Sequence, residues 1–296
     1  MIAGMDISRD ITALENERLL NLMSIYLNEF PTAVTAEDIA ALAEFDIPVE
    51  EAFALTLAGL LELDVADNPA DRAFFDRYFA HMFHCCRAAD FADDPYLANI
   101  SFPTEAFGNA RFEMARYEPF EGFVCDDFSQ LPDGRIIPHI GFFEEAYPYP
   151  TVMEDGRIWM SVTPQEINTV RPAVEAARGH VVTFGLGLGY FAYMAARKPE
   201  VQSVTVVDSN ESIIEVFSRE ILPQFERPGI VDIVCDDAFD FAEKRLVSCE
   251  ADFIYTDIWH DVGDGFDLYA MMREYEFVKP DAEWQYWIEP TIRCYL

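Results

Sequence analysis

Lysine is scarce in this chain. There are three, Lys198, Lys244 and Lys279, and Lys+Arg total 20 against 54 Asp+Glu, a formal net charge of -34. Phosphate backbones are held by clustered cations, so duplex and single-stranded nucleic acid are excluded as partners on charge alone. Such acidity fits a solvated, self-repelling surface, or attraction of a cationic substrate such as an amine or of a basic partner. Long apolar runs are missing too. No window approaches the roughly 18 uninterrupted apolar residues of a membrane span, and the opening MIAGMDISRD lacks the basic start and apolar run of a leader. The expectation is a cytoplasmic protein without membrane contacts. A disulfide framework is also absent. Cys85, Cys86, Cys125, Cys235, Cys249 and Cys294 are scattered among apolar residues, which predicts reduced core thiols.

Apolar bulk is plentiful: 51% of the 296 residues are hydrophobic and 14% aromatic, enough for a sizeable core and a chain of two domains. The most informative stretch is His180 to Phe191, HVVTFGLGLGYF. Val181, Val182 and Phe184 read as a strand, because a short apolar run closed by glycine suits a parallel sheet buried on both faces. Gly185, Gly187 and Gly189 form a turn without side chains. Tyr190, Phe191, Tyr193, Met194 and Ala195 then supply the apolar bulk of a helix that Lys198-Pro199 stops. Strand, glycine turn and helix make a nucleotide-type site, since a ligand reaches the backbone and the helix start offers unpaired N–H groups.

The next segments extend the pattern. Val204 to Val207 ends on Asp208, Ile230 to Cys235 is closed by Asp236-Asp237-Ala238, and Ala251 to Thr256 is closed by Asp257. A carboxylate about 20 positions beyond such glycines is where a ribose diol is bound. Every strand in this half thus ends in glycine or aspartate, at the carboxyl edge where open α/β sheets bind ligands.

Taken in order, TFGLGLGY, VTVVDSN, IVCDDAFDF and ADFIYTDIW resemble the class I S-adenosylmethionine-dependent methyltransferases over residues 164–290, most of all their spermidine-synthase-like branch. The resemblance implies an α/β fold with a Rossmann-like parallel sheet of the class I methyltransferase type, shortened at its C-terminal end to five strands. It implies S-adenosylmethionine as cofactor. Gly185, Gly187 and Gly189 would pass its methionine part, Asp208 would hold the ribose hydroxyls, Asp237 and the Ala238 backbone N–H would meet the adenine, and Asp257 would face the sulfonium. The sequence departs from the pattern in two places. Thr183 stands where many methyltransferases carry an acid, and Asp257-Ile-Trp-His-Asp261 lacks the proline of the branch's Asp-x-x-Asp-Pro signature. The Asp-x-Trp-x-Asp spacing also resembles the magnesium-dependent catechol-type enzymes, but Glu289-Pro290 replaces their Asp-Asn pair, so no metal is expected. A nicotinamide-binding domain is the competing reading. It expects glycine where this chain has Tyr190.

Ahead of this half, residues 1–100 read as a helical domain and 101–162 as a small β region contributing to the pocket, with 163–296 as the cofactor domain. Leu14, Leu19, Leu20, Leu22 and Met23 recur at helix spacing, and Thr35-Ala-Glu-Asp38 resembles a capping box. Pro48 and Asn68-Pro69 start further helices, the helical pattern reaching about Cys86. A DNA-reading helix-turn-helix is disfavoured because no lysine or arginine occurs between Arg18 and Arg72. A substrate or homodimerisation module is expected instead. On a helix His81 would share a face with His84 and Cys85, but no second ligand pair follows at zinc-finger spacing, so they read as core residues. Arg111–Tyr117, Phe120–Asp126, Arg135–Phe143 and Ile158–Met160 read as strands, with Tyr147–Pro150 an extended link and Glu154-Asp-Gly156 a turn.

Thr163-Pro164 opens the helix leading into the sheet, which makes Gln165 and Glu166 secondary site candidates. Asp257, His260 and Asp261 are the candidate catalytic groups, able to take a proton from a nucleophile, beside Trp259 as a wall. The expected activity is methyl transfer to a small neutral or cationic acceptor. Aminopropyl transfer to an amine, or cofactor binding without turnover in a sensor or assembly subunit, are the alternatives.

Overall fold

The computed structural model describes residues 7–104, 106, 110–154 and 157–295. In chain order its elements begin with α1 (Ile7–Glu29), α2 (Ala36–Ala43), α3 (Val49–Leu60), α4 (Pro69–Arg77), β1 (Phe83–Cys86), α5 (Ala89–Ala92) and α6 (Pro95–Asn99). There follow β2 (Ala110–Tyr117), β3 (Phe123–Gln130), β4 (Ile136–Phe143), β5 (Tyr147–Glu154), β6 (Arg157–Ser161), α7 (Pro164–Ala176), β7 (Gly179–Phe184), α8 (Tyr190–Arg197) and β8 (Val201–Asp208). The chain continues through α9 (Glu211–Val216), β9 (Val231–Cys235), α10 (Ala238–Lys244), β10 (Phe253–Thr256), α11 (Val262–Arg273), β11 (Glu283–Tyr286) and α12 (Glu289–Arg293). Two compact units form, Met1–Phe91 with Arg116–Pro148 and Ala92–Ala115 with Tyr149–Leu296.

In the first unit, Leu19, Met23 and Tyr26 fall on one face of α1 and bury against Phe53 and Leu57 of α3 and Phe74 and Phe75 of α4. The box at the start of α2 is closed both ways: Thr35 accepts from the Asp38 N–H, and Asp38 accepts from the Thr35 N–H. A three-stranded sheet, β1-β4-β3, completes the core, with Phe142 of β4 stacked on Phe53 at 4.2 Å between ring centroids. The helical pattern expected to reach Cys86 runs to Arg77 as α-helix and, through a 3-10 turn over Phe79–His81, stops at His81. Phe83–Cys86 instead pairs in parallel with Ile140–Phe143, so His84 and Cys85 alternate across a strand and share no helix face with His81. His84 Nε2 meets His139 Nδ1 at 2.9 Å. The expectation of core thiols also needs correction, since Cys125 is buried but Cys235, on the edge strand β9, is exposed. No disulfide forms among the described residues.

The second unit is built on a five-stranded sheet of order β11-β10-β7-β8-β9, parallel throughout. Counted from β7 as the first strand, this is the order 3-2-1-4-5 of a Rossmann-like α/β sheet, with the five parallel strands expected. Val181, Val182 and Phe184 are buried as a central parallel strand requires. A smaller sheet has the order β2-β5-β6. Tyr147–Pro150, expected as a link, is the first half of β5, and pairing with β6 begins beyond the prolines at Thr151. Asp155 and Gly156 of the expected turn lie outside the described residues. The helix after β10 starts at Val262, where Asp261 and Asp264 form a capping box, and ends at Arg273. Among the described residues, no helix is long and apolar enough to cross a membrane.

Candidate functional site

The ladder of the parallel sheet sets the strand ends in a row. Gly185 N–H donates to the Val207 carbonyl at 2.8 Å, Asp236 N–H to the Asp208 carbonyl at 3.0 Å, and Asp257 N–H to the Phe184 carbonyl at 2.8 Å. A cavity of about 660 Å³ opens at this carboxyl edge, around the point where strand order reverses between β7 and β10. Its size is ordinary for a small-molecule site, roughly 300 to 1,000 Å³. Of the candidates from sequence, Gly185, Gly187, Asp208, Asp237, Ala238, Asp257, His260, Gln165 and Glu166 all line it. Among the described residues, no lysine or arginine does.

The three glycines of the turn serve different ends. Gly185 (φ 98°) lies so close to β10 that a Cβ would overlap the Asp257 carbonyl oxygen, and a Cβ on Gly189 would overlap the Phe217 ring. Both are needed for packing. Gly187 (φ 52°) faces open space, with no atom within 4 Å of where a Cβ would stand. The N–H groups of Gly187 and Leu188 donate to nothing among the described residues, so the turn offers two backbone donors beside an open face.

Tyr190 occupies the position where a dinucleotide fold expects glycine, and its hydroxyl donates to Asp94 at 2.8 Å. Tyr96 donates from a buried hydroxyl to the Leu188 carbonyl, its ring edge-on to Tyr190 and Tyr193 at 5.3 and 5.4 Å. Asp94 in turn caps α6 through the N–H groups of Tyr96 and Leu97. The short helix α6 therefore braces the glycine turn. Sequence reasoning missed this support; the one local signal was Asp94-Pro95, an N-cap followed by proline.

Asp208 is held by two backbone donors, Leu186 N–H on Oδ2 at 2.9 Å and Asn210 N–H on Oδ1 at 2.8 Å. A carboxylate has about four lone-pair sites, so each oxygen keeps one for a ligand. Asp237 caps α10 through Oδ1, which accepts from Phe239 and Asp240, and its Oδ2 accepts nothing among the described residues. The Ala238 N–H at the helix start is likewise uncommitted.

Glu166 and Asp257 form the unusual part of the site. Each keeps some surface open to the cavity and is otherwise enclosed by protein. Neither carboxyl has a hydrogen bond or ion pair among the described residues. Burial holds both above the ordinary carboxylate range, Asp257 up to about 7, and the Asp257 charge raises Glu166 further. Thr163-Pro-Gln-Glu166 has the sequence of a capping box, and Thr163 does accept from the Glu166 N–H at 3.4 Å. The return bond from the glutamate, made by its counterparts in α2 and α11, is missing in α7.

The loop after β10 is more committed than its sequence suggests. Asp261 caps α11, accepting from Gly263 N–H at 2.6 Å, and is not among the residues lining the cavity. His260 is exposed, with Nδ1 3.0 Å from Asp264 Oδ2. Trp259 is buried against Gly265, and its indole N–H has no acceptor among the described residues. Trp287, which sequence reasoning did not single out, adds another wall and donates to Thr169 Oγ1 at 2.9 Å. Among the described residues, no three His, Cys, Asp or Glu side chains are grouped to hold a metal ion. No protein-family model matches the chain, and no curated protein is significantly similar to it.

Proposed function

We propose that this protein binds S-adenosylmethionine at the carboxyl edge of the parallel sheet and transfers its methyl group to a small neutral or cationic acceptor. The observation that carries the reading is the run of uncommitted groups along one wall of the cavity: the Gly187 and Leu188 N–H donors, a lone pair on each oxygen of Asp208, and Asp237 Oδ2 beside the Ala238 N–H. Their order matches methionine backbone, ribose diol and adenine edge. Asp208 would bind both ribose hydroxyls through charge-assisted hydrogen bonds, and its two backbone donors keep it in position.

When bound, the cofactor supplies a methyl group already activated by its sulfonium, so the protein's part is to orient the acceptor and remove its proton. Asp257 stands at the reacting end of the row for both tasks. Charge favours this ligand over a nicotinamide dinucleotide. A pyrophosphate would meet Glu166, Asp208, Asp237 and Asp257 with no lining cation among the described residues to offset the repulsion, whereas a sulfonium is attracted.

Incubation with S-adenosylmethionine carrying a radiolabelled methyl group and a small-molecule cell extract tests the activity. Label in a low-molecular-weight product that requires the protein supports it. Tight cofactor binding with no labelled product would point to a binding-only role.

A further inference from the structure

We propose that the acceptor is an aliphatic amine, bound as its ammonium ion by the carboxyl groups of Glu166 and Asp257; this rests on the cofactor reading above. Two enclosed carboxyls without partners are costly, because a buried charge is stable only when paired. Here the pair opens onto a ligand cavity, so the missing partner is a ligand group. It must be cationic and a hydrogen-bond donor. An ammonium has three N–H donors, enough to bridge both carboxyls.

The surroundings narrow the choice. The titratable groups that face Glu166 are Asp257 beyond β10, Tyr96 of α6 and Tyr190 of α8; both tyrosines also face Asp94, the N-cap of α6, and Tyr190 faces Arg171 of α7. Arg171 is exposed and bonded to Asn168 Oδ1 at 3.1 Å, so it does not neutralise the pair. Burial raises both carboxyls and the Asp257 charge raises Glu166 further, so a cation seated between them offsets the cost of ionising the pair. A metal ion would need a third ligand, and none is grouped there among the described residues. Trp159, Tyr255, Trp259 and Trp287 contribute aromatic walls, which suit a cation carried on an apolar chain.

The same pair serves the transfer. The ammonium gives one proton to a carboxylate of the pair, which frees the nitrogen lone pair. That lone pair forms the new N–C bond to the methyl carbon while the S–C bond breaks and its electrons stay on sulfur. The positive charge passes from sulfur to the methylated ammonium, and the proton on the pair leaves to solvent.

Calorimetry with the whole chain saturated with S-adenosylhomocysteine provides the test, using propylamine to hexylamine and the alcohols of equal length as probes. Amines should bind at least tenfold tighter than the alcohols. Glu166→Gln should weaken amine binding at least tenfold and leave S-adenosylhomocysteine affinity within threefold, with Asp257→Asn as a second variant should the first fail to fold. Equal binding of amines and alcohols would overturn the proposal. So would a Glu166→Gln variant that binds amine normally, or one that loses S-adenosylhomocysteine tenfold, since Glu166 would then hold the cofactor's own ammonium. Failure of the wild-type chain to bind S-adenosylhomocysteine would remove the cofactor reading itself, an outcome distinct from tight cofactor binding without amine preference.

Discussion

Alanine substitutions at Gly187 and Gly185 should separate ligand binding from folding within one turn. Gly187 has φ 52° and nothing within 4 Å of its missing Cβ, so alanine there meets no protein atom. Its cost is the left-handed backbone alone, about 1–2 kcal/mol. The new methyl group stands in the open space where the cofactor would touch the turn. At Gly185 the added Cβ overlaps the Asp257 carbonyl oxygen, and φ is 98°, so the end of β10 must move or the turn must open. That should cost more than about 3 kcal/mol, as strain and overpacking act together. Urea denaturation gives the stability of each variant, and calorimetry with S-adenosylhomocysteine gives its affinity. Gly187→Ala should remain folded, lose no more than about 2 kcal/mol of stability, and bind at least tenfold more weakly. Gly185→Ala should be grossly destabilised. A folded Gly187→Ala that binds within threefold of wild type would refute the claim that the turn's open face receives the ligand.

Further expectations follow from the same geometry. Asp208→Ala should weaken S-adenosylhomocysteine by ~2 kcal/mol, roughly 30-fold, and an unchanged dissociation constant in a folded variant would remove Asp208 from the site. Asp257 is held up to about 7 from 3.8, so between those values the folded chain keeps a proton the unfolded chain has released, and stability falls as pH rises through this window. The full linkage is up to about 4 kcal/mol; Asp257→Asn should therefore gain on wild type at pH 8 but not at pH 4, and parallel stability curves would contradict this. Tyr96→Phe leaves the Leu188 carbonyl without its buried donor, which should cost about 1–3 kcal/mol in urea denaturation.

Much of the site was legible because parallel strands declare themselves locally. Val181 to Phe184 and Val204 to Val207 are short apolar runs closed by glycine or aspartate, and the ladder turns that punctuation into a row of groups at one edge. What stayed hidden depends on contacts distant in sequence. The pairing of Phe83–Cys86 with Ile140–Phe143 spans more than fifty residues, and nothing in FHCC betrays a strand once a helix precedes it. The brace from Tyr96 to Leu188 crosses 92 positions. Glu166 was ambiguous for a different reason, since the same four letters describe a helix cap and a carboxyl turned to a cavity. Only the missing return bond separates them.

The most direct test of the central claim is a calorimetric titration of the intact chain with S-adenosylhomocysteine and, separately, with NAD. The account predicts a micromolar dissociation constant for S-adenosylhomocysteine, about -8 kcal/mol, and far weaker binding of NAD, whose pyrophosphate meets carboxylates at this edge. NAD bound as tightly as S-adenosylhomocysteine, or no heat from either, would contradict it.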